Sequence, residues 1–419
     1  MIDPPPARDD SIALPRGVEW MPVDQALGLL KKRIVVTTSV ERCELANSCG
    51  RFLAEDIIAP NNSPPYTNSA VDGFGICAQE FDKQAIFSLP LHKERVAAGR
   101  PLNSRVLKEE AVRILTGAQL PDGVDTVILE EDVSLKGQNI VFRGPIKKGS
   151  NTRVEGEDVK KAQLILETGR KLRPCDLALL ASVGVRMVAV RKKLRVGILS
   201  SGDELCSTSE KFTQGKIFDA NKPMLISQME EWGYDPIDFG RALDIEEDVI
   251  ERLDQASKIC DVLLTTGGAS AGDQDYLSAT LKRNDCLEIW RLAVKPGRPM
   301  AMGFWNSLPI FVLPGNPVAA LVCTLIFACP ALRVIAGGRW ESPKGFSMPA
   351  AFAKSKKPGR REFLRGRIKE GRVEAFGSEG SGRVSGLSWA EGLIELGEDC
   401  EGVSFEELVR FIPFTSFRE

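Results

Sequence analysis

Three glycines and two closing carboxylates in the stretch Asp261 to Leu277, DVLLTTGGASAGDQDYL, have the order expected of an anion site. Val262-Leu263-Leu264 is a short apolar run of the kind that forms a buried parallel strand. It ends in Thr265-Thr266-Gly267-Gly268-Ala269-Ser270-Ala271-Gly272. The carboxyl end of a strand in an open α/β sheet is where ligands sit. Glycine there admits positive φ and close backbone approach, and exposed N–H groups suit a phosphate or other oxyanion. Asp273 and Asp275 follow, two carboxylates that either hold a hard metal ion or orient an oxyanion through one. A second unit of the same design lies downstream: Ile310 to Leu313, then Pro314-Gly315-Asn316-Pro317, then an apolar helix from Val318. Two such units in one sheet imply a shared ligand edge. A glycine-rich strand-to-helix turn alone fits a plain tight turn equally well, so the assignment depends on its company.

That company is spread along the chain. A loop from Pro60 to Ser69 leads into Ser69-Ala70-Val71-Asp72-Gly73-Phe74-Gly75, whose Asp-Gly is either a turn or an acidic tip placed for chemistry. Thr116-Gly117-Ala118 follows a strand-like run, and Asn151 to Asp158, NTRVEGED, sets Arg153 beside three carboxylates. Leu194 to Leu199 reads as a strand, followed by Ser200-Ser201-Gly202-Asp203-Glu204-Leu205. The acidic cluster Glu130-Glu131-Asp132 reads as a solvated face.

The elements that must position these residues are legible in outline. Met21 to Lys31 has helical spacing with basic residues at its end. Short alternating runs between about Ala59 and Lys160 read as mainly β. Leu177 to Val183 reads as a helix that Gly184 can cap. From Leu194 the order is strand, helix (Ile217 to Trp232, opened by Asp219-Ala220-Asn221), strand (Ile237 to Leu243), helix (Ile245 to Lys258, with Asp244 as N-cap) and strand (Val262 to Thr266). That order predicts a parallel, doubly wound sheet, which Trp290 to Lys295 and Met300 to Trp305 extend. Ala319 to Cys329 reads as a buried core helix ended by Pro330, and a β-rich tail follows Gly337-Gly338.

With 419 residues the chain needs several domains, and its net charge of -2 disfavours charge-driven binding of nucleic acid. No signal peptide or membrane span is expected. The 10 cysteines form no Cys-x-x-Cys pair and predict reduced thiols in a cytoplasmic protein. His92 is the single histidine, too few for a zinc site or a Ser-His-Asp triad.

Taken in order, Asn68 to Phe74, Thr116-Gly117-Ala118, Arg153 to Val159, Ser200 to Leu205, Asn221, Thr266-Gly267-Gly268 through Asp275-Tyr276, Lys295-Pro296-Gly297-Arg298-Pro299 and Leu313 to Val318 resemble the molybdopterin molybdenumtransferases of the MoeA and gephyrin E-domain type. The resemblance covers essentially everything after Arg16. The family often has methionine at Val71, tyrosine at Phe74, threonine at Ser201, and lysine at Arg291 and Arg298; arginine keeps the charge but replaces a point donor with a fork.

The resemblance implies a doubly wound three-layer α/β domain of the MogA-like, molybdopterin-binding kind at 191–340. Around it stand an elongated N-terminal region at 17–58 and 161–190, whose first helix packs on the α/β domain, an inserted β-rich lobe at 59–160, and a β-barrel-like C-terminal domain at 341–419. Residues 1–16 are expected to be disordered. It implies insertion of molybdate into the dithiolene of adenylylated molybdopterin, with Mg²⁺ assisting release of AMP. It assigns catalysis to Asp72, Thr116, Asp158, Glu204, Asp244 and Asp275, and a metal to Glu204, Asp273 and Asp275. Substrate binding falls to Ser200, Ser201, Gly202, Asp203, Asn221, Thr266, Gly267, Gly268, Ser270, Gly272, Arg291, Lys295, Arg298, Pro314, Gly315, Asn316 and Pro317. It further implies a homodimer in which Asp72 and Asp158 reach the partner's site, with a molybdopterin adenylyltransferase and cofactor-accepting molybdoenzymes as partners and no nucleic acid or membrane. The alternatives are the adenylyltransferase itself, a single small domain without the N-terminal lobes, and a gephyrin-like scaffold. Tungstate in place of molybdate stays open. A dehydrogenase is disfavoured because the loop lacks G-x-G-x-x-G spacing.

Overall fold

In the computed structural model, which describes residues 20–78, 81, 83–268, 276–284, 287–297 and 300–418, contacts gather the chain into two units, one of them 42–190. The expectation for residues 1–16 falls outside the described residues. Helix α1, Val23–Arg33, buries Val23, Ala26 and Leu30 on one stripe and carries Asp24 in its first turn and Lys31, Lys32 and Arg33 in its last, matching the helix dipole. It belongs to the larger unit.

The 42–190 unit contains a six-stranded sheet built from β1 (Gly73–Ile76), β2 (Ile86–Val96), β3 (Ala111–Ile114), β4 (Thr126–Leu129), β5 (Val133–Lys136) and β6 (Asn139–Arg143), in the order β4-β1-β3-β2-β6-β5. Gly73 permits the central crossing: a Cβ there would stand 1.9 Å from the Ile128 carbonyl oxygen. Phe81, Phe87 and Phe142 pack edge-on and tilted beneath this sheet.

A separate core around Leu53, Leu172, Leu180 and Val190 is closed by α2, Pro174–Ser182. Its C-terminus is a Schellman turn: Val185 N–H donates to Leu180 O and Gly184 N–H to Ala181 O, with Gly184 at φ +83. Its N-terminus is held by Asp176. That carboxylate accepts from Arg173 N–H at 2.9 Å and from the Arg170 guanidinium at 2.7 Å. Burial by itself raises the Asp176 carboxyl, but the hydrogen bonds from Arg170 and Arg173 outweigh it and bring the group from 3.8 down to about 2. A lowered folded-state pKa stabilises above the unfolded value and fades as pH falls towards the folded one. Asp176→Asn is therefore expected to cost roughly 1–2 kcal/mol at neutral pH, given the half-exposed arginines. The difference from the parent chain should shrink between pH 3.8 and about 2. Denaturant unfolding across that range checks it.

The larger unit is built on a six-stranded sheet from β7 (Arg195–Ser201), β8 (Asp235–Ala242), β9 (Val262–Thr266), β10 (Leu287–Trp290), β12 (Ala301–Trp305) and β13 (Leu308–Leu313), in the order β8-β7-β9-β13-β12-β10. The first four strands are parallel; β12 and β10 extend the sheet antiparallel. Every residue of β9 and β13 is buried, as continuous apolar strands covered on both faces require. Helices α3 (Asn221–Glu231), α4 (Glu246–Ile259), α5 (Tyr276–Arg283), α6 (Pro317–Cys323) and α7 (Cys329–Ile335) cover it.

Four expectations need correction. Ile217–Phe218 is a short strand and not the first turn of α3; the helix starts at Asn221, opened as read by Asp219, whose Oδ1 accepts the N–H groups of Asn221 and Lys222. Asp244 does not cap α4. The N-cap is Ile245, Asp248 accepts from Leu243 N–H, and Asp244 serves the neighbouring loop instead. Trp290 to Lys295 is not one strand of this sheet: β11, Val294–Lys295, pairs instead with the C-terminal sheet. Pro330 does not end the apolar helix. Proline lacks the N–H and collides with the preceding turn in a regular α-helix; here a π-helical turn over Thr324–Ala328 widens the backbone just ahead of it, and the helix continues as α7. The span Pro317–Ile335 is long and apolar enough to cross a membrane, but 83% of that window is buried in the protein, as a core helix.

The C-terminal sheet runs β11-β15-β17-β18-β14, with β14 Phe346–Pro349, β15 Arg361–Lys369, β17 Gly392–Leu396 and β18 Leu408–Pro413, while β16 (Arg372–Ala375) pairs with β15. It curls, since Ala350 beyond β14 bridges to Val373 of β16, and the interior is filled by Ile394, Val409 and Phe411. Helix α1 is tied to this side of the unit by Arg361, which donates to both Asp24 carboxylate oxygens at 3.0 and 2.8 Å, and by a bridge from Met21 to Leu292.

Candidate functional site

The parallel registers place Arg241, Ser200, Thr266 and Leu313 at one level, so the loops that follow β7, β8, β9 and β13 leave the sheet on the same edge. A cavity of about 630 Å³ opens there. It is lined from the edge of the α/β sheet by Ser201, Glu204, Asn221, Thr266, Gly267, Gly268, Pro314, Gly315 and Asn316, and from the β11 crossing and the C-terminal loops by Lys295, Pro296, Gly297, Glu379 and Ser381.

Glycine is required at the cavity floor. Gly267 and Gly268 take φ of +82 and +72, and a Cβ on Gly267 would lie 2.2 Å from Ser201 O. A Cβ on Gly315 would stand 3.8 Å from Gly267 Cα, so two backbones meet with no side chain between them. Two buried polar atoms on this wall lack a partner: Thr266 Oγ1, and Asn221 Oδ1, whose amide nitrogen donates to Gly315 O at 2.7 Å. Buried groups of this kind are costly unless something satisfies them, and here the cavity supplies the place for a ligand to do so.

Glu204 is the carboxylate of the sheet side. Gly202, at φ +137, leaves room for it: a Cβ there would come within 2.8 Å of both carboxylate oxygens. Ile217 N–H donates to Glu204 O at 2.8 Å, and Asp203 N–H donates to Asp244 Oδ2 at 3.2 Å, so Asp244 holds the loop that presents Glu204. Ser200 is buried and spends its hydroxyl on Asp219 Oδ2 at 2.5 Å.

Lys295 meets two carboxylates, Glu379 at 2.7 Å and Glu362 at 3.5 Å. Lys354 meets the same pair. Burial works to raise the Glu379 carboxyl, and the hydrogen bonds from Lys295 and Lys354 overcome it, so the group lies below the ordinary glutamate value.

The 42–190 unit carries its own constellation. Asp72 Oδ1 accepts from the Thr116 hydroxyl at 2.6 Å and from Thr116 N–H at 2.7 Å, which hold its exposed carboxyl below the usual range. Gly117, at φ +77, turns the chain so that its N–H reaches Ser69 O. Asp158 stands beside the Ser63–Val159 bridge, on an exposed loop.

The structure thus brings Ser201, Glu204, Asn221, Thr266, Gly267, Gly268, Lys295, Pro314, Gly315 and Asn316 to one cavity. Ser200, Gly202, Asp203, Asp244 and Pro317 stand behind or beside its wall. Arg291 is not on that wall; its backbone takes φ +54 and accepts from Met21 N–H. Ser270, Gly272, Asp273, Asp275 and Arg298 lie outside the described residues. No cluster of three metal-ligating side chains occurs among the described residues. The hard oxygens present, Glu204 and the unpartnered Thr266 hydroxyl, fit the kind of Mg²⁺ site that takes one or two carboxylates and completes itself with substrate phosphate oxygens. Sequence reasoning missed Glu362, Lys354, Glu379 and Ser381. The last two sit in Gly377-Ser378-Glu379-Gly380-Ser381-Gly382, a glycine-serine loop around one carboxylate, and that pattern was the available signal.

Comparison with known proteins agrees with this geometry. Residues 21–184 match the family described as MoeA N-terminal region (domain I and II), 197–334 the probable molybdopterin binding domain, and 347–414 the MoeA C-terminal region (domain IV). The chain is 34% identical over 399 residues, 94% of its length, to the molybdopterin molybdenumtransferase of Haemophilus influenzae, covering 98% of that protein. It is 33% identical to that of Bacillus subtilis over 69% of each chain. The crystal structure of the Pyrococcus horikoshii molybdopterin biosynthesis moeA protein superposes with a TM-score of 0.84 at 31% identity, covering 94% of this chain and 100% of that one. A glycine-floored cavity on the edge of a molybdopterin-binding domain, in a chain that also carries both MoeA terminal regions, agrees with that identity over nearly the full length, and the chain belongs to the molybdopterin molybdenumtransferase family.

Proposed function

We propose that this chain is a molybdopterin molybdenumtransferase that inserts molybdate into the dithiolene of adenylylated molybdopterin and releases AMP. The observation that carries the reading is the composition of one cavity: backbone of Gly267, Gly268 and Gly315 suited to phosphate oxygens, together with the Lys295 side chain suited to an oxyanion. Asn221 and Thr266 orient the substrate through their unpartnered oxygens. Glu204, together with phosphate oxygens of the substrate, would hold Mg²⁺, which when bound neutralises charge at the phosphate that leaves with AMP. The protein works in the cytoplasm, takes its substrate from a molybdopterin adenylyltransferase and hands cofactor to molybdoenzymes. Incubation with adenylylated molybdopterin, molybdate and Mg²⁺ should yield AMP without consumption of ATP; ATP consumption would instead identify an adenylyltransferase.

The functional form is a homodimer whose site combines the loops around Glu204 from one subunit with Asp72 and Asp158 of its partner. Asp72 supports this reading because it is exposed and held ionised by Thr116. Asp72→Asn and Glu204→Gln should each keep at most about 1% of parental activity alone, yet regain about a quarter of it when unfolded and refolded together, since half the dimers are mixed and each mixed dimer holds one intact site. No recovery, with mixed dimers present by mass spectrometry, rejects the shared site.

A further inference from the structure

Glu379 stands where a substrate oxyanion has to arrive. Its carboxylate touches both Lys295 and Lys354, and it lines both the 630 Å³ cavity and a second cavity of about 400 Å³ bordered by Lys354 and Arg365. Glu362 faces the same two ammonium groups at 3.5 Å each. The two carboxylates differ in how they are held. Glu362 lies within β15, with its side chain 4% exposed; Glu379 lies on the loop after β16, with its side chain 46% exposed. Glu362 is the fixed counter-ion and Glu379 the removable one. Arg365 pins the loop on either side by donating to Ser378 O and Arg383 O, so departure of Glu379 needs only a side-chain rotation.

Resting on the reading of Lys295 as an oxyanion ligand, we propose that Glu379 is a resident counter-anion that the incoming oxyanion displaces, and that it thereby sets the charge required for entry. With Glu379 in place the two lysines and two glutamates balance. A monoanion offers Lys295 no more charge than the carboxylate it replaces. A tetrahedral dianion offers twice as much charge and further acceptor oxygens, so it alone competes well. Once displaced, Glu379 opens the boundary that the two cavities share.

The test is equilibrium dialysis of molybdate alone against the full chain, read by metal analysis, with formate as the monoanionic competitor. Glu379→Gln should bind molybdate about tenfold more tightly than the parent chain, and formate should now compete. Glu379→Asp, which keeps the charge, should stay near the parent value. Lys295→Ala should weaken binding both in the parent chain and when combined with Glu379→Gln. Unchanged affinity and unchanged formate exclusion in Glu379→Gln, with Lys295→Ala still weakened, would overturn the counter-anion and leave the oxyanion role of Lys295 standing. Lys295→Ala with no effect would overturn both.

Discussion

A Glu204→Gln variant should melt at the parental temperature and turn over two to three orders of magnitude more slowly. The side chain is exposed, and its removal leaves no buried partner stranded, so the stability change should stay within about 0.5 kcal/mol. The kinetic effect has a different origin. Glu204 is presented by a loop fixed at three points: Gly202 with no Cβ under the carboxylate, Ile217 N–H on its carbonyl, and Asp244 on the neighbouring N–H. A charge held that firmly against a cavity acts on charge developing in the transition state, and single preorganised contacts of this type are worth about 10²–10³ in rate. The same loss should appear as a raised Mg²⁺ requirement. Turnover within tenfold of the parent at all Mg²⁺ concentrations would remove Glu204 from the chemistry.

Gly267→Ala should produce the largest loss of stability at the site. A non-glycine residue at φ +82 costs about 1–2 kcal/mol by itself. The added methyl would lie 2.2 Å from Ser201 O, backbone that cannot rotate aside. Relief requires β7 and β9 to part next to the Ser200–Thr266 register pair, and forcing atoms into packed structure adds about 1–3 kcal/mol. The sum is roughly 2–5 kcal/mol, visible as a lower denaturant midpoint with unchanged slope. Gly315→Ala is the control: its Cβ has 3.8 Å of clearance, so it should fold normally and affect only ligand approach. Equal stability of the two variants would show that the tight crossing at Gly267 is not required.

Much of the site was visible in sequence because glycine and proline mark backbone requirements that no other residue meets. Gly267-Gly268 and Pro314-Gly315-Asn316 announced two strand ends, and parallel pairing then brought them together without further information. The Gly184 turn that ends the helix read at Leu177 to Val183, and observed at Pro174–Ser182, was legible for the same reason. What stayed hidden depended on distant partners. Asp244 has good N-cap chemistry, but Asp203 N–H, 41 residues away in sequence, claims it. Pro330 is a sound stop signal that a π turn nullifies, and nothing local in Thr324–Ala328 advertises that turn. Lys354 and Glu362 carry no motif, and the glycine-serine loop around Glu379 does not name its partners; only the curl of the C-terminal sheet makes them neighbours of Lys295.

Between β10 and β12 the chain leaves the α/β sheet, adds β11 to the C-terminal sheet beside β15, and returns. Lys295 is thus encoded among the residues of one sheet but hydrogen-bonded into the other. The family segments 197–334 and 347–414 therefore cannot be exchanged between relatives like interchangeable parts. A chain truncated near residue 340 would lose not only the last domain but also the edge against which Val294 and Lys295 are laid, leaving the wall of the cavity without its backing. Chimeras that join the α/β portion of one relative to the tail of another should fold well only when the 291–297 crossing and the β15 strand come from the same parent, because those two segments form a single seam.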